Sequence, residues 1–286
     1  MNTQPATLIA ATPDAKPRVC GFPVLLATLH ESRALTGAAC MYTLIIGLLV
    51  GLIFPALKTL NLATYLSNGT VGSLLGVSSQ GHLSTFASYL AIELYSSFFV
   101  LLFGGVLGYA AGASIARNIE DGTIDLTLAR PVSRTRFYLE KWGAILISSL
   151  MIIATSLLTG WLDTLLFANA TLDWHWFLLA HLDIASTFFF IAGVGLLVSA
   201  VMSAGRAAGG LVTLIIVFGY LAQTFGTASD RLSLLQYLSP YYYAPTAQVM
   251  LTEQFGAIWK PLILTGAGLI AGLGGLWRFQ RRDITP

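Results

Sequence analysis

Long apolar stretches separated by short polar ones dominate the hydropathy pattern of the chain. A helix crossing a bilayer core needs about 20 apolar residues, because each residue rises ~1.5 Å. Six stretches meet that length, over roughly 35–57, 86–116, 142–167, 176–202, 208–225 and 258–279. The pattern predicts an all-α integral membrane protein of six transmembrane helices, with the third and fourth spans forming a tight hairpin. Ahead of the first span, over 22–34, Val24, Leu25 and Leu29 alternate with His30, Glu31 and Arg33, as in an amphipathic helix lying in the inner interface. The same residues also fit a first span that begins early. Residues 1–21 are proline-containing and lack an apolar core, so they read as a flexible cytosolic tail. No apolar run follows a basic start in the first thirty residues, and no signal peptide is expected. Residues 22–286 then make one six-helix domain.

Composition sharpens that picture by exclusion. Of 286 residues, 56% are hydrophobic and 10% charged, with a mean hydropathy of +0.75. Soluble domains carry about 25% charged residues, so a soluble enzyme, a disordered chain and a nucleic-acid-binding protein are excluded. The net charge of +2 is too small to argue for an anionic partner. Cys20 and Cys40 make neither a disulfide framework nor a Cys-rich zinc site, and none of the four histidines forms a His-x-x-x-His pair, so no metal is expected. Cytoplasmic loops retain Lys and Arg. With the N-terminus inside, the inner segments carry twelve of the fifteen and the outer ones only Lys58, Arg231 and Lys260. Both termini are therefore expected in the cytoplasm. The sequons at Asn68 and Asn169 fall in outer loops and are short enough to arise by chance.

The inner loop between spans two and three, 117–141, differs from the rest. With Ala116 it holds nine of the 28 Asp, Glu, Lys and Arg residues, five basic and four acidic. A short helix is predicted after Gly122, with Thr123 as its cap and Asp125 near its positive end. Pro131 stops it, since proline lacks an N–H and disfavours helix in the residue before it. The result is an amphipathic rod about two turns long, showing Ile124, Leu126 and Leu128 among charges. Held at the mouth of two spans, it is either a docking element for a cytosolic partner or an ordinary basic inner loop.

Residue order favours the first. The string Glu120-Asp-Gly-Thr-Ile-Asp-Leu-Thr-Leu-Ala-Arg-Pro-Val-Ser-Arg134, followed by Tyr138-Leu-Glu-Lys141, resembles the signature inner loop of type-2 ABC exporter permeases. Phe279-Gln-Arg-Arg-Asp283 is similar to that family's C-terminal ending, and Leu238-Ser-Pro240 before aromatics is a weaker likeness. With six spans and both ends inside, the resemblance covers essentially the whole chain. It departs where the family has Glu four positions before the Gly, since Asn118 stands there and Glu120 is expected to substitute. The resemblance implies a permease that pairs with a second copy of itself and with two ABC ATPase subunits, among membrane lipids, in a bacterial or archaeal plasma (inner) membrane. ATP and Mg would lie on the partner ATPase. This chain binds no cofactor of its own, because none of its four lysines completes a Gly-Lys-Ser/Thr phosphate loop. The loop would be the coupling helix, with Glu120, Asp121, Gly122 and Thr123 at its start, Leu126 and Leu128 as the apolar anchor, and Arg130 and Arg134 for charge pairing.

Three carboxylates fall within spans, all in their outer halves: Glu93, Asp163 and Asp183. Charges inside a bilayer cost several kcal/mol unless they face protein or water, and so mark functional candidates. They could form an acidic outer vestibule for cationic or polar substrates, or each could snorkel to the interface. They also underlie the alternative function, an ion-coupled secondary transporter, against which stands the lack of a detectable inverted repeat. An intramembrane enzyme is disfavoured, because no nucleophile elbow, metal pair or mid-membrane Ser–His set is visible. His181 reads as an interfacial histidine, and the six tryptophans, Trp142 included, as an aromatic belt. Gly104, Gly108 and Gly112 form a small-residue face that suits packing within the subunit or between subunits. The segment 226–258 is expected to cap the exit, as this region does in the family.

Overall fold

The computed structural model describes residues 21–59, 85–96, 99–129, 132–254 and 256–282. The described residues form helices, turns and connecting loops without a strand. Six helices are long and apolar enough to cross a membrane. The first, α1 (Pro23–Thr59), runs 37 residues, about 55 Å at 1.5 Å per residue. The expected interface helix over 22–34 is not a separate element. No Gly or Pro interrupts the chain between Val24 and Thr36, so the polar turn around His30–Arg33 simply continues into the span. The early-starting first span is the form seen.

The second span is unusual. It begins as α2 (Phe86–Leu90), widens into π-helical turns at Ala91–Ser96 and Phe99–Phe103, and returns to α-helix as α3 (Gly104–Glu120). π-turns are rare and occur mostly singly within α-helices. Here they carry Leu94, Tyr95, Phe99 and Phe103, all buried at the centre of the larger apolar core. The short helix α4 (Thr123–Leu128) follows, then the hairpin of α5 (Arg134–Leu166) and α6 (Trp174–Val201), then α7 (Gly205–Ala228). The last span, α10 (Trp259–Arg281), comes after a 3-10 segment (Asp230–Leu238) and two short helices, α8 (Pro240–Tyr243) and α9 (Thr246–Thr252). The third span starts eight residues earlier than its apolar stretch, because the charged turn Arg134–Lys141 is already helical, with Ser133 as its cap.

The spans run up and down. The starts of α1, α5 and α7 and the ends of α3, α6 and α10 meet through hydrogen bonds at one end, here called the basic end. α10 lies along α6, α3 against α6 and α7, and α1 against α5. The glycine face of α3 packs within the subunit, since a Cβ at Gly108 or Gly112 would collide with Ile216 or with the α7 backbone at Ala208. The closest helix approach is α6 on α10, where a Cβ at Gly193 would strike the Gly268 carbonyl oxygen. At the opposite end α9 folds back onto the bundle and buries Val249, Met250 and Leu251 in the core beside the π-turns. Trp142 departs from the expected belt: its ring packs on Gly272 and Phe189 inside the protein, whereas Trp161, Trp174, Trp259 and Trp277 are exposed.

Candidate functional site

The loop after α3 turns at Gly122, whose φ of +66° lies in the left-handed region that glycine enters without penalty. Thr123 is the first residue of α4 rather than its cap, and its side chain reaches backwards. Its hydroxyl donates to the Asn118 carbonyl at 3.3 Å, and the Asn118 amide donates to Thr123 Oγ1 at 3.1 Å. Asn118 thus fastens the turn. Ile124 is 1% exposed and joins a core of Ile115, Val132, Phe137 and Phe279, so it pins the rod to the bundle. Glu120, Asp121, Gly122, Thr123 and Asp125 remain exposed around it. The side chains of Leu126 and Leu128, and the whole of Arg130, lie outside the described residues.

Two of the predicted contact residues are engaged inside the chain. Glu120 Oε2 accepts from the Gly205 N–H at 2.7 Å and so occupies the start of α7. Arg134 donates to the carbonyls of Arg282 (2.7 Å) and Gln280 (3.3 Å) at the end of α10. Each charge matches the helix end it meets, an anion at an N-terminus and a cation at a C-terminus.

The pattern extends around the basic end. Glu140, 4% exposed, accepts from the N–H groups of Val24 (2.8 Å) and Leu25 (3.0 Å) and from Arg136 Nε (2.7 Å). Arg136 also donates to the Gly21 carbonyl. Arg282 donates to the carbonyls of Ala200 (3.0 Å) and Met202 (2.8 Å) at the end of α6. Its partial burial, and then the neighbouring Arg278, lower its pKa from the ordinary arginine value. The ends of all six spans, those of α1, α3, α5, α6, α7 and α10, are therefore engaged by four charged side chains, Glu120, Arg134, Glu140 and Arg282. Behind this collar a cavity of about 160 Å³ opens between α1, α3 and α5. Glu31, Arg117, Asn118, Lys141 and Ser148 are among its lining residues. Lys141 is buried there with Glu31 as its distant partner, at 3.9 Å.

A second polar group lies in the core. Tyr95 Oη and Ser156 Oγ are hydrogen-bonded at 2.5 Å, and both meet His181 Nε2, at 3.1 and 3.0 Å. His181 Nδ1 lies 2.7 Å from the Phe177 carbonyl, which can only accept, so Nδ1 carries the proton and Nε2 accepts. His181 is thus a core residue and not an interfacial one. Ser156 and His181 do come together, although the sequence shows no such set. Tyr95 competes for the same nitrogen, and Ser156 is 1% exposed, so the trio knits three spans and offers no open nucleophile.

Asp163 and Asp183 do not snorkel, being 0% and 2% exposed. Among the described residues neither oxygen of Asp163 has a hydrogen-bond partner; it faces Gly51 of α1, where a Cβ would collide with it. Asp183 instead lines a cavity under α9 together with Lys260, and Asp163 is not among that cavity's lining residues. The side chain of Glu93 lies outside the described residues. Among the described residues, no group of three or more His, Cys, Asp or Glu is placed to hold a metal ion.

Sequence reasoning passed over Glu140, Arg282 and the partners of His181. Their roles depend on which helix ends meet, and hydropathy carries no signal of that. Residues 74–285 match the family model described as "Protein of unknown function (DUF2705)". No curated protein matches the chain.

Proposed function

The chain belongs to the DUF2705 family, whose function is unknown, and from its six spans and its inner loop we propose that it is the membrane-spanning permease subunit of an ATP-driven ABC exporter. Its working form would be a pair of permeases with two ATPase subunits that bind ATP and Mg, in a bacterial or archaeal plasma membrane with both termini cytoplasmic. The chain itself catalyses nothing in this reading. The observation that carries it is α4, a short rod between two spans, fastened by Ile124 and by the Asn118–Thr123 pair, with its acidic start exposed. Such a rod moves with the span before it. Through Glu120 and Gly205 a push on α4 also reaches α7, while Arg134 and Arg282 tie α5, α6 and α10 into the same collar. Closure of the ATPases would then bias the bundle between two states, which requires that they bind the two states with different affinity.

A second reading, an ion-coupled secondary transporter, has an observation of its own: the buried carboxylate of Asp163, without a hydrogen-bond partner among the described residues. Purification of the tagged chain with the ATPase encoded beside it decides between the two. The exporter reading expects a stoichiometric Walker-motif ATPase to co-purify, and to be lost in Leu126→Asp while the permease still inserts. A stable permease that never retains an ATPase, yet moves solute under an ion gradient, would overturn it in favour of the second.

A further inference from the structure

At the end of the bundle opposite α4, a cavity of about 240 Å³ lies between α6, α9 and the start of α10. That is below the roughly 300–1,000 Å³ of pockets for drug-sized ligands, so the part of a ligand it can enclose is small. The cavity holds one acid and one base. Asp183 is 2% exposed, and its Oδ1 has no hydrogen-bond partner among the described residues. The nearby hydroxyls of Ser186 and Thr187 do not help its carboxylate, because both donate to its backbone carbonyl. Lys260 also lines the cavity, its Nζ 4.0 Å from the centre of the Tyr242 ring. Neither of the two ion pairs among the described residues joins Lys260 to Asp183.

A buried carboxylate with an empty acceptor is costly, and a cation seated on it recovers the most. A ligand that is only cationic meets the Lys260 charge in the same small space, and one that is only anionic meets Asp183. A ligand carrying both charges satisfies both walls. We propose that this cavity binds a small zwitterion of the amino-acid kind, with its ammonium on Asp183 and its carboxylate on Lys260. The site does not depend on the exporter reading, since every group in it belongs to this chain.

The test uses the purified full-length chain in nanodiscs and a set of radiolabelled free L-amino acids, with the matched decarboxylated amines and deaminated acids as competitors. The proposal expects saturable binding of at least one amino acid, with the amine and the acid each about tenfold weaker or worse, the loss of one charged hydrogen bond. Asp183→Asn should remove the preference of the zwitterion over the deaminated acid, and Lys260→Met its preference over the amine. If no amino acid binds the wild-type chain, the proposal fails without any variant. It also fails if the amine competes as well as the zwitterion, in which case Lys260 only neutralises Asp183, or if both variants bind like wild type. Binding by a chain that retains no ATPase would uphold this inference while overturning the exporter reading, so the two outcomes separate.

Discussion

Glu140 shows how a single charge organises the basic end. Its carboxylate serves two backbone N–H groups at the start of α1 and one guanidinium, and it is almost wholly buried. The first N–H groups of a helix have no partner within the helix, so an acceptor placed there is worth more than an average hydrogen bond. Removing it by Glu140→Leu strands one buried donor and one half-buried donor, at a cost of about 1–3 kcal/mol. Arg136 is a third exposed and can turn to water, so its loss adds little. Glu140→Gln keeps an acceptor without the charge and should fall between. Thermal unfolding in detergent should therefore rank wild type above Glu140→Gln above Glu140→Leu. Equal midpoints would mean that the contact carries no stability.

Among the elements, the contact of α6 with α10 depends on two glycines whose backbones touch. Gly268 and Gly266 sit two residues apart on one helix, yet a Cβ at Gly268 strikes the Phe190 backbone, whereas one at Gly266 meets nothing. Alanine is favoured over glycine within a helix by about 1 kcal/mol, so Gly266→Ala should leave the unfolding midpoint unchanged or raise it. Gly268→Ala should lower it, since overpacking costs about 1–3 kcal/mol. The two glycines look alike in the sequence, and only the neighbour distinguishes them. The same holds for the π-turns of the second span. Hydropathy does not report how many residues make a turn, so Ala91–Ser96 and Phe99–Phe103 read as ordinary helix until Tyr95 is seen meeting Ser156 and His181. Trp142 was misplaced for a related reason: a tryptophan near a span end looks like a belt residue whether or not Gly272 leaves room for it inside.

For the molecule as a whole, what could be read from the sequence was what depends on length and charge. Six apolar stretches gave six spans, and Gly122 and Pro131 bracketed α4. The bundle's exterior carries large apolar residues such as Leu52, Leu150, Leu214 and Ile270, each at least 60% exposed, an exterior suited to lipid rather than water. Orientation is a matter of charge rather than packing. The collar gathers Arg134, Arg136, Lys141 and Arg282 at one end, and the proposed function requires that end inside the cell, as retention of bases on the cytoplasmic side predicts. Exposed positions at each end make this testable in a chain whose Cys20 and Cys40 have been replaced by serine. Single cysteines at Ser133 and Ser203 lie at the basic end, and at Asn169 and Thr227 at the other. A membrane-impermeant thiol reagent applied to intact cells should label Asn169→Cys and Thr227→Cys, and should reach Ser133→Cys and Ser203→Cys only after permeabilisation. The reverse pattern would put α4 outside, where no ATPase can reach it, and the exporter reading would fall with the fold intact. Labelling of one position from each pair would break the up-and-down bundle itself, because α5 and α6 could not then run as neighbouring antiparallel spans.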